Sequence, residues 1–234
     1  MAHVLHLETA TEVCSVCVTQ DGKVIALRET SEDKSHATRL AVFVQECLSE
    51  AGISIDDLDA VAVSKGPGSY TGLRIGVSLA KGICYGTGKP LIGVSTLKAM
   101  ADLALEKYRE DIPTEEQVLL CPMIDARRME VYSALYSVDL QEVRTIEAVV
   151  VDESSFLPYL ESHKVLFFGN GAAKCTSVLN HPNAWFATDF EISSKGMIRQ
   201  AEQAFSEGHF EDSAYFEPFY LKDFIATIPK NKLF

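Results

Sequence analysis

The sequence predicts an α/β fold of two similar lobes, each built on a mixed five-stranded β-sheet with flanking helices. Three observations support this prediction. The order β-β-β-α-β-α-β-α occurs twice, the helical stretches carry apolar residues at a 3.6-residue period, and a polar stretch with a proline, Arg109 to Gln117, separates the two copies. Three meandering strands followed by right-handed crossovers give a mixed sheet. We therefore expect a first lobe over residues 1–108 and a second over 109–234, with a return of the C-terminal segment to the first lobe left open.

Apolar runs in the first half predict five strands and three helices. The strands are expected at 3–8, 13–18, 24–28, 60–63 and 91–94, and the helices at 36–51, 70–85 and 96–108. Asp21-Gly22 is a typical hairpin turn between two of these strands, and Gly52 is a typical helix end. The first helix has a clean apolar stripe, and Val42 and Phe43 fall off it. The stripe consists of Ala37, Leu40, Ala41, Val44, Cys47, Leu48 and Ala51. The apolar surface of this helix is therefore wider than one core-facing side requires.

The second half repeats this order with weaker patterns. The strands are expected at 118–125, 130–136, 145–151, 165–168 and 184–187, and the helices at 152–162, 172–179 and 194–207. Pro158 interrupts the first of these helices. Two such units side by side predict the duplicated actin-like / sugar-kinase (ribonuclease H-like) architecture, which by itself indicates nothing about activity.

The composition is typical of an ordinary soluble globular protein and not of a protein that binds nucleic acid. The 234 residues carry a net charge of −12, whereas proteins that grip RNA normally present a basic surface to the phosphates. We expect tRNA or other nucleic acid to bind this chain poorly on its own. The N-terminus lacks a signal-peptide pattern and no apolar run is long enough to span a membrane. The six cysteines lie mostly in apolar stretches, which indicates buried free thiols and a cytoplasmic location.

The stretch from strand to helix at residues 61–93 is the most distinctive. A Gly66-Pro67-Gly68-Ser69 loop precedes a helix whose small residues Gly72, Gly76 and Ala80 fall four apart, on one face. That face is either a helix-docking surface or a site of close packing on the protein's own sheet, and spacing alone leaves both open. The loop is not a Walker A motif because no Gly-Lys-Ser/Thr closes it. Ser69 or Thr71 is the expected N-cap.

The same stretch carries a resemblance to a known family. Residues 64–76, SKGPGSYTGLRIG, resemble the signature of the TsaB family, also called YeaZ. Further matching stretches lie along the chain at 8–16, 35–37, 93–97, 124–132 and 217–221. The resemblance covers essentially the whole chain, with a looser match over 136–209.

The resemblance implies a role in modifying tRNA. TsaB-like proteins are non-catalytic partners in making threonylcarbamoyladenosine at position 37 of tRNAs that read codons beginning with A. The resemblance implies a TsaD-like catalytic partner, to which this chain docks as a heterodimer, a TsaE-like ATPase that joins the assembly, and a homodimer through the first two helices when the chain is alone. We therefore expect tRNA to bind only through the complex.

The expected partner and dimer interface combines the first two helices. Its predicted residues are His36, Leu40, Phe43, Tyr70, Gly72, Leu73, Arg74, Gly76 and Ala80, with Ile75 near its centre.

The sequence offers little for catalysis, and we expect no catalytic residue, no metal and no cofactor. No two of the six histidines are four apart, and His36 is the one histidine where a metal-binding pair of TsaD would begin. A lesser expectation is that a weakly bound nucleotide lies near the loops that carry Thr9, Thr11, Gly169 and Gly171. Glu8 stands where nucleotide-binding relatives carry an aspartate, and Glu12 adds a repelling charge.

Two remaining motifs are expected to be structural. Cys14-x-x-Cys17 lies on a strand, where the two thiols point to opposite faces, so we expect core packing rather than redox chemistry. Asp125, Arg127 and Glu130 are expected to form ion pairs around a hairpin. The rival hypothesis is a stand-alone enzyme of the superfamily, an ATPase or a glycoprotease-like metallopeptidase.

Overall fold

The computed structural model describes residues 1–32, 36–113 and 117–222. Ser35 and the central part of the expected linker, residues 114–116, lie outside the described residues. The first half contains strands β1 (His3–Glu8), β2 (Cys14–Gln20), β3 (Lys23–Thr30), β4 (Ala60–Gly66) and β5 (Leu91–Ser95), and helices α1 (His36–Ala51), α2 (Tyr70–Thr87) and α3 (Thr96–Lys107). The second half contains strands β6 (Val118–Asp125), β7 (Glu130–Ser137), β8 (Glu142–Val150), β9 (Lys164–Phe168) and β10 (Ala184–Ala187), and helices α4 (Leu157–Leu160) and α5 (Ile198–Glu207).

The strands form two separate five-stranded sheets with the same topology. The first sheet has the order β3-β2-β1-β4-β5 and the second the order β8-β7-β6-β9-β10. In each, the first strand is antiparallel to the second and parallel to the fourth. The predicted fold class is confirmed: the chain has the duplicated actin-like / sugar-kinase architecture, with two mixed five-stranded sheets and flanking helices.

Three helices predicted in the second half are wrong in length. The helix predicted over 152–162 is reduced to α4, because Asp152 accepts hydrogen bonds from the donors of Ser154 and Ser155 and Pro158 lacks an amide hydrogen. The helix predicted over 172–179 is a 3-10 turn at Ala173–Cys175. The helix predicted over 194–207 is split into a 3-10 turn at Ser194–Met197 and α5.

The two halves exchange helices across their sheets. Helices α1 and α2 cover one face of the first sheet and form its larger core. The other face of the first sheet packs against Ala201 of α5, which comes from the second half. Conversely, α3 of the first half packs its Leu97, Met100 and Ala104 on the second sheet. The division into lobes at residues 108/109 stays a prediction. The contacts of α3 and α5 join the residues before this division to those after it.

The segment after α5 runs back over the first lobe, and we call residues 211–222 the C-terminal strap. The amide of Glu211 donates to the carbonyl of Leu91 at 2.8 Å, beside the edge strand β5. The Phe216 ring is buried in the core between α2 and the first sheet. The amide of Phe219 then donates to the carbonyl of Lys65 at 2.6 Å. The strap therefore runs along α2 in the opposite direction and completes the first core.

The length and polarity of the helices bear on the expectation that the chain does not span a membrane. None of the described helices has an apolar stretch of the length that crossing a membrane requires.

Candidate functional site

The loop between β4 and α2 fits closely onto the loop after β1. Ser69 is the N-cap of α2, because its hydroxyl accepts a hydrogen bond from the amide of Gly72 at 3.2 Å. The amide of Ser69 itself donates to the carbonyl of Ala10 at 2.7 Å. A Cβ added to Gly68 would lie well under 3.0 Å from Ala10, which explains the glycine there. These contacts fix the start of α2 against its own sheet.

The glycine stripe of α2 faces the interior, so its prediction as a docking surface is wrong. A Cβ on Gly72 would lie well under 3.0 Å from the carbonyl oxygen of Thr9, and a Cβ on Gly76 would lie as close to the Thr9 hydroxyl. Ala80 is completely buried in the first core. The alternative interpretation of the stripe is therefore the correct one: α2 packs closely on the protein's own β1–β2 loop.

Other residues predicted for the interface also belong to this chain's interior. Leu40, Phe43 and Leu73 are buried, and the first two are part of the core under α1 and α2. As partner contacts these three are wrong, because their helix positions point at the sheet. His36 is half-buried, and its Nε2 lies 3.1 Å from the carbonyl oxygen of Val13, so it joins α1 to the start of β2.

The outward sides of α1 and α2 form a second surface of small residues. The two helices lie on the same face of the first sheet and contact each other. We give the name docking face to eight of their exposed residues: Ala37, Ala41 and Val42 of α1, and Thr71, Arg74, Ser78, Gly82 and Gly86 of α2. Among the described residues, no atom lies within 4 Å of a Cβ added to Gly82 or Gly86, so this part of the chain leaves open space in front of both. Gly82 and Gly86 are the sequence signal for this surface, and the predicted interface, built on Gly72, Gly76 and Ala80, does not include them.

Aromatic rings lie at the end of the docking face where α2 begins. The Tyr70 and Tyr220 rings pack with centroids 4.9 Å apart. Arg74 donates to the Tyr70 hydroxyl at 3.0 Å, and its guanidinium carbon lies 5.4 Å from the centre of the same ring. Phe219 and Tyr220 of the strap remain 43% and 37% exposed. Of the predicted interface residues, Tyr70 and Arg74 are thus the two that lie at the surface beside this group.

The loops predicted to lie near a nucleotide are in contact with each other. The Asn170 amide donates to the Glu12 carboxylate at 2.7 Å and accepts from the backbone amide of Asp125 at 3.0 Å. Gly169 and Gly171, on either side of Asn170, lie against the end of β6, where an added Cβ would come within 3.0 Å of backbone atoms. Nucleotide proximity for these loops stays a prediction.

Thr9 and Thr11, the other two residues of that prediction, are both buried. Thr9 supports the inward stripe of α2, and the Thr11 hydroxyl accepts from the amide of Val13 at 3.3 Å. Both residues therefore serve the local packing of the β1–β2 loop.

The charged cluster at the β6–β7 hairpin forms ion pairs in part. Lys174 pairs with Asp125, and Lys222 of the strap pairs with Glu130. Arg127 has a left-handed backbone with a φ of 74°, and its amide donates to the Asp125 carboxylate at 2.8 Å. The expected role in ion pairing therefore holds for Asp125 and Glu130.

The first sheet buries two ionisable side chains side by side on β1. Glu8 is completely buried and accepts from the amide of Ala10 at 2.6 Å, with Ser64 beside it. Burial raises the pKa of Glu8 to about 7, and hydrogen bonding opposes the shift only in part. Burial lowers the pKa of His6 to about 3, and its Nε2 lies 3.0 Å from the Thr19 hydroxyl.

The remaining side chains with possible redox or metal chemistry are the cysteines and the groups of His, Asp and Glu. Burial raises the pKa of Cys14 to about 11 and that of Cys17 to about 12, so both thiols are neutral near pH 7. Across residues 1–32, 36–113 and 117–222, no three His, Cys, Asp or Glu side chains are grouped so as to hold a metal ion.

Comparison with known proteins identifies the family. Residues 23–230 match the family model described as "TsaD: tRNA N6-adenosine threonylcarbamoyltransferase". The tRNA threonylcarbamoyladenosine biosynthesis protein TsaB of Escherichia coli (strain K12) is 34% identical over 230 residues, which are 95% of this chain and 96% of that protein. A solved structure of YeaZ from Pseudomonas aeruginosa has a TM-score of 0.80 and 25% identity, and the match covers 94% of this chain and all of that one.

The transferase itself is similar over a shorter stretch. The tRNA N6-adenosine threonylcarbamoyltransferase of Ruegeria pomeroyi is 52% identical over 68 residues, which are 29% of this chain and 19% of that protein. Of these two curated relatives, the TsaB protein is the one that matches this chain over nearly its whole length. This chain belongs to the TsaB (YeaZ) family of tRNA threonylcarbamoyladenosine biosynthesis proteins.

Proposed function

We propose that this protein is a non-catalytic scaffold subunit in the synthesis of threonylcarbamoyladenosine at adenosine 37 of tRNA. It binds and stabilises a TsaD-like transferase through the docking face. A TsaE-like ATPase joins the assembly, and tRNA binds through the complex rather than to this chain alone. Without its partner the chain pairs with a second copy through the same face.

The observation that carries the proposal is the open space in front of Gly82 and Gly86. A glycine inside a helix costs about 1 kcal/mol relative to alanine. At Gly72 and Gly76 close packing on Thr9 offsets this cost, whereas at Gly82 no atom of residues 1–32, 36–113 or 117–222 is near enough to do so. Helix axes approach to about 8 Å when the side chains between them are small. The exposed side of α2 is therefore suited to a second helix pair.

Common descent favours a transferase-type partner. The family model that matches residues 23–230 of this chain is the one described for the transferase. In a symmetric homodimer the same helices of two copies meet. A related protein with the same fold carries equivalent helices, so it can take the place of one copy and form a heterodimer of similar geometry. A TsaD-like protein is therefore a natural occupant of the docking face.

The rival function, a stand-alone ATPase or metallopeptidase, remains open to a direct assay. The contact between Asn170 and Glu12 joins the two loops between which a nucleotide would enter. This geometry favours a scaffold over an ATPase. Hydrolysis of ATP or of a peptide by the purified chain, lost on substitution of a single residue of this chain, would favour the rival.

The test of the scaffold role is the substitution Gly82→Arg. An arginine here enters space that the described residues leave open, and the chain should stay folded because a better helix former replaces a glycine. The long charged side chain should prevent the close approach of a partner helix. We expect loss of the complex with a purified TsaD-type transferase in size-exclusion chromatography, and loss of threonylcarbamoyladenosine formation by the reconstituted proteins.

Two matched variants complete the test. Ser206→Arg places the same charge on an exposed position of α5, on the opposite side of the first sheet, and should leave binding unchanged. Gly76→Arg collides with Thr9 and should unfold the first lobe, which circular dichroism would detect. A folded Gly82→Arg protein that still binds and supports the modification would show that docking occurs elsewhere.

A further inference from the structure

The docking face on its own is smaller than a stable interface requires. Helices of 16 and 18 residues, as in α1 and α2, span about 24 and 27 Å and are each about 10 Å wide, which gives roughly 500 Å². Stable complexes bury about 800 Å² on each partner. Most side chains of the docking face are also short. A further contact area next to the helices would bring the surface closer to the size of a stable interface.

The strap brings such an area to the start of α2. Tyr220 packs on Tyr70, and Arg74 reaches the same ring by a hydrogen bond and from above its plane. Phe219 precedes Tyr220 and is 43% exposed. Tyrosine and arginine are the residue types most enriched among the side chains that dominate binding energy. These rings and the Arg74 guanidinium form one group at the surface. Arg74 also belongs to the docking face, so the group is continuous with that face.

The group is held in place before any partner arrives. On one side of it, the amide of Phe219 is bonded to Lys65, and Lys81 of α2 donates to the carbonyls of Ala214 and Phe216 at 3.1 and 3.0 Å. On the other side, Lys222 pairs with Glu130 of the second half. A surface that is already ordered loses little conformational entropy on binding. Exposed rings on a segment fixed at both ends are therefore suited to recognition.

We propose that Phe219 and Tyr220 of the C-terminal strap, together with Tyr70 and Arg74, form the second part of the surface that binds the TsaD-like subunit. This inference rests on the proposed function. It assigns to the second half of the chain a direct contact that the helices alone would not supply. The proposed occupant is the transferase, because the family model that matches residues 23–230 of this chain is the one described for that protein.

The test compares four variants of the full chain in titrations against a purified TsaD-type transferase. Tyr220→Ala should weaken the affinity about tenfold or more, as expected for a central interface tyrosine. Phe219→Ala should weaken it in the same direction, by a smaller factor. Tyr220→Phe retains the ring and should bind within about threefold of the native chain. Tyr215→Ala removes a ring that is 84% exposed on the same strap but outside this group, and should have no effect.

The variants also separate this inference from the function on which it rests. If Gly82→Arg abolishes binding while Tyr220→Ala and Phe219→Ala bind like the native chain, the strap plays no part and the inference fails alone. If Gly82→Arg binds normally, the docking face itself is wrong. Tyr220→Ala that weakens self-association but not transferase binding would overturn the choice of occupant. Melting curves accompany each titration, and Phe219→Ala decides the outcome if Tyr220→Ala melts early.

Discussion

The carboxyl group of Glu8 should make the stability of this protein depend on pH in a direction opposite to the usual one. Most carboxylates stabilise a folded protein in their charged form. Glu8 is completely buried, and its pKa is raised from 4.5 to about 7, chiefly by loss of hydration. The perturbation that tests this is Glu8→Gln, because glutamine keeps the oxygen that accepts the Ala10 amide but cannot ionise.

The sign and size of the effect follow from the pKa difference. The folded state holds the Glu8 proton more tightly than the unfolded state, so the contribution is fully present below pH 4.5. It is lost as the pH rises to about 7 and stays lost above that. Each unit corresponds to 1.36 kcal/mol, which gives at most about 3 kcal/mol for this shift. Glu8→Gln should therefore be more stable than the native chain at pH 8, by up to that amount, and about equally stable at pH 4.

His6 on the same strand contributes with the opposite sign. Its pKa is lowered from 6.5 to about 3, so its contribution is present above pH 6.5 and is lost as the pH falls toward 3. Between pH 4.5 and 6.5 the two slopes oppose each other, and the native chain should show a nearly flat stability curve there. In Glu8→Gln the histidine slope alone remains, so stability should rise with pH across this window.

The assay is urea unfolding at several pH values between 4 and 8, followed by circular dichroism and by the fluorescence of the single tryptophan, Trp185. The free energy of unfolding is compared for the native chain and Glu8→Gln at each pH. Two parallel curves, offset by a constant amount, would refute the reasoning, because they would mean that Glu8 has the same pKa in both states.

Two further predictions concern the strap and RNA. Phe216→Ala should lower the free energy of unfolding by about 3 kcal/mol, because it leaves a cavity between α2 and the first sheet, whereas the exposed Tyr215→Ala should change it by less than about 0.5 kcal/mol. Equal effects of the two in urea unfolding would mean that the strap is not part of the core. The isolated chain, with a net charge of −12, should retain little tRNA in a filter-binding assay at about 150 mM salt, and tight binding would contradict a role for the partner in holding tRNA.

The sheets were predictable from the sequence because their signal is local. Each central strand is an apolar run of four to eight residues bounded by turn residues, and such runs are typical of strands buried on both faces. The repeated order of elements then led to two sheets of the same topology. The short helices of the second half were not predictable in the same way. Whether residues 172–179 form a helix or a single 3-10 turn depends on how Cys175 packs under the second sheet, and that is tertiary information.

The outward side of α1 and α2, where we propose docking, was harder to predict because both helices have apolar or small residues on two sides. In α1 the periodic stripe placed Ala37 and Ala41 with the core residues and left Phe43 outside, but the sheet contacts Phe43 and leaves the two alanines exposed. A period of 3.6 residues defines a face without stating what lies against it. The ring cluster was beyond reach for another reason, since Tyr70 and Tyr220 are 150 positions apart and meet because the strap returns to the first lobe.

The two sets of small residues in α2 show how tertiary contact decides the meaning of a glycine. Gly76 and Gly82 lie in the same helix, and each lowers intrinsic helix stability by about the same amount. At Gly76 the side chain is absent because the Thr9 hydroxyl occupies the place of a Cβ, and the contact between helix and hairpin offsets the cost inside the molecule. At Gly82 no atom of the described residues lies within 4 Å of the place of a Cβ, so no contact in that part of the chain offsets the cost. A closely packed partner helix would offset the cost at Gly82, which is the physical reason for proposing the partner on this side of α2.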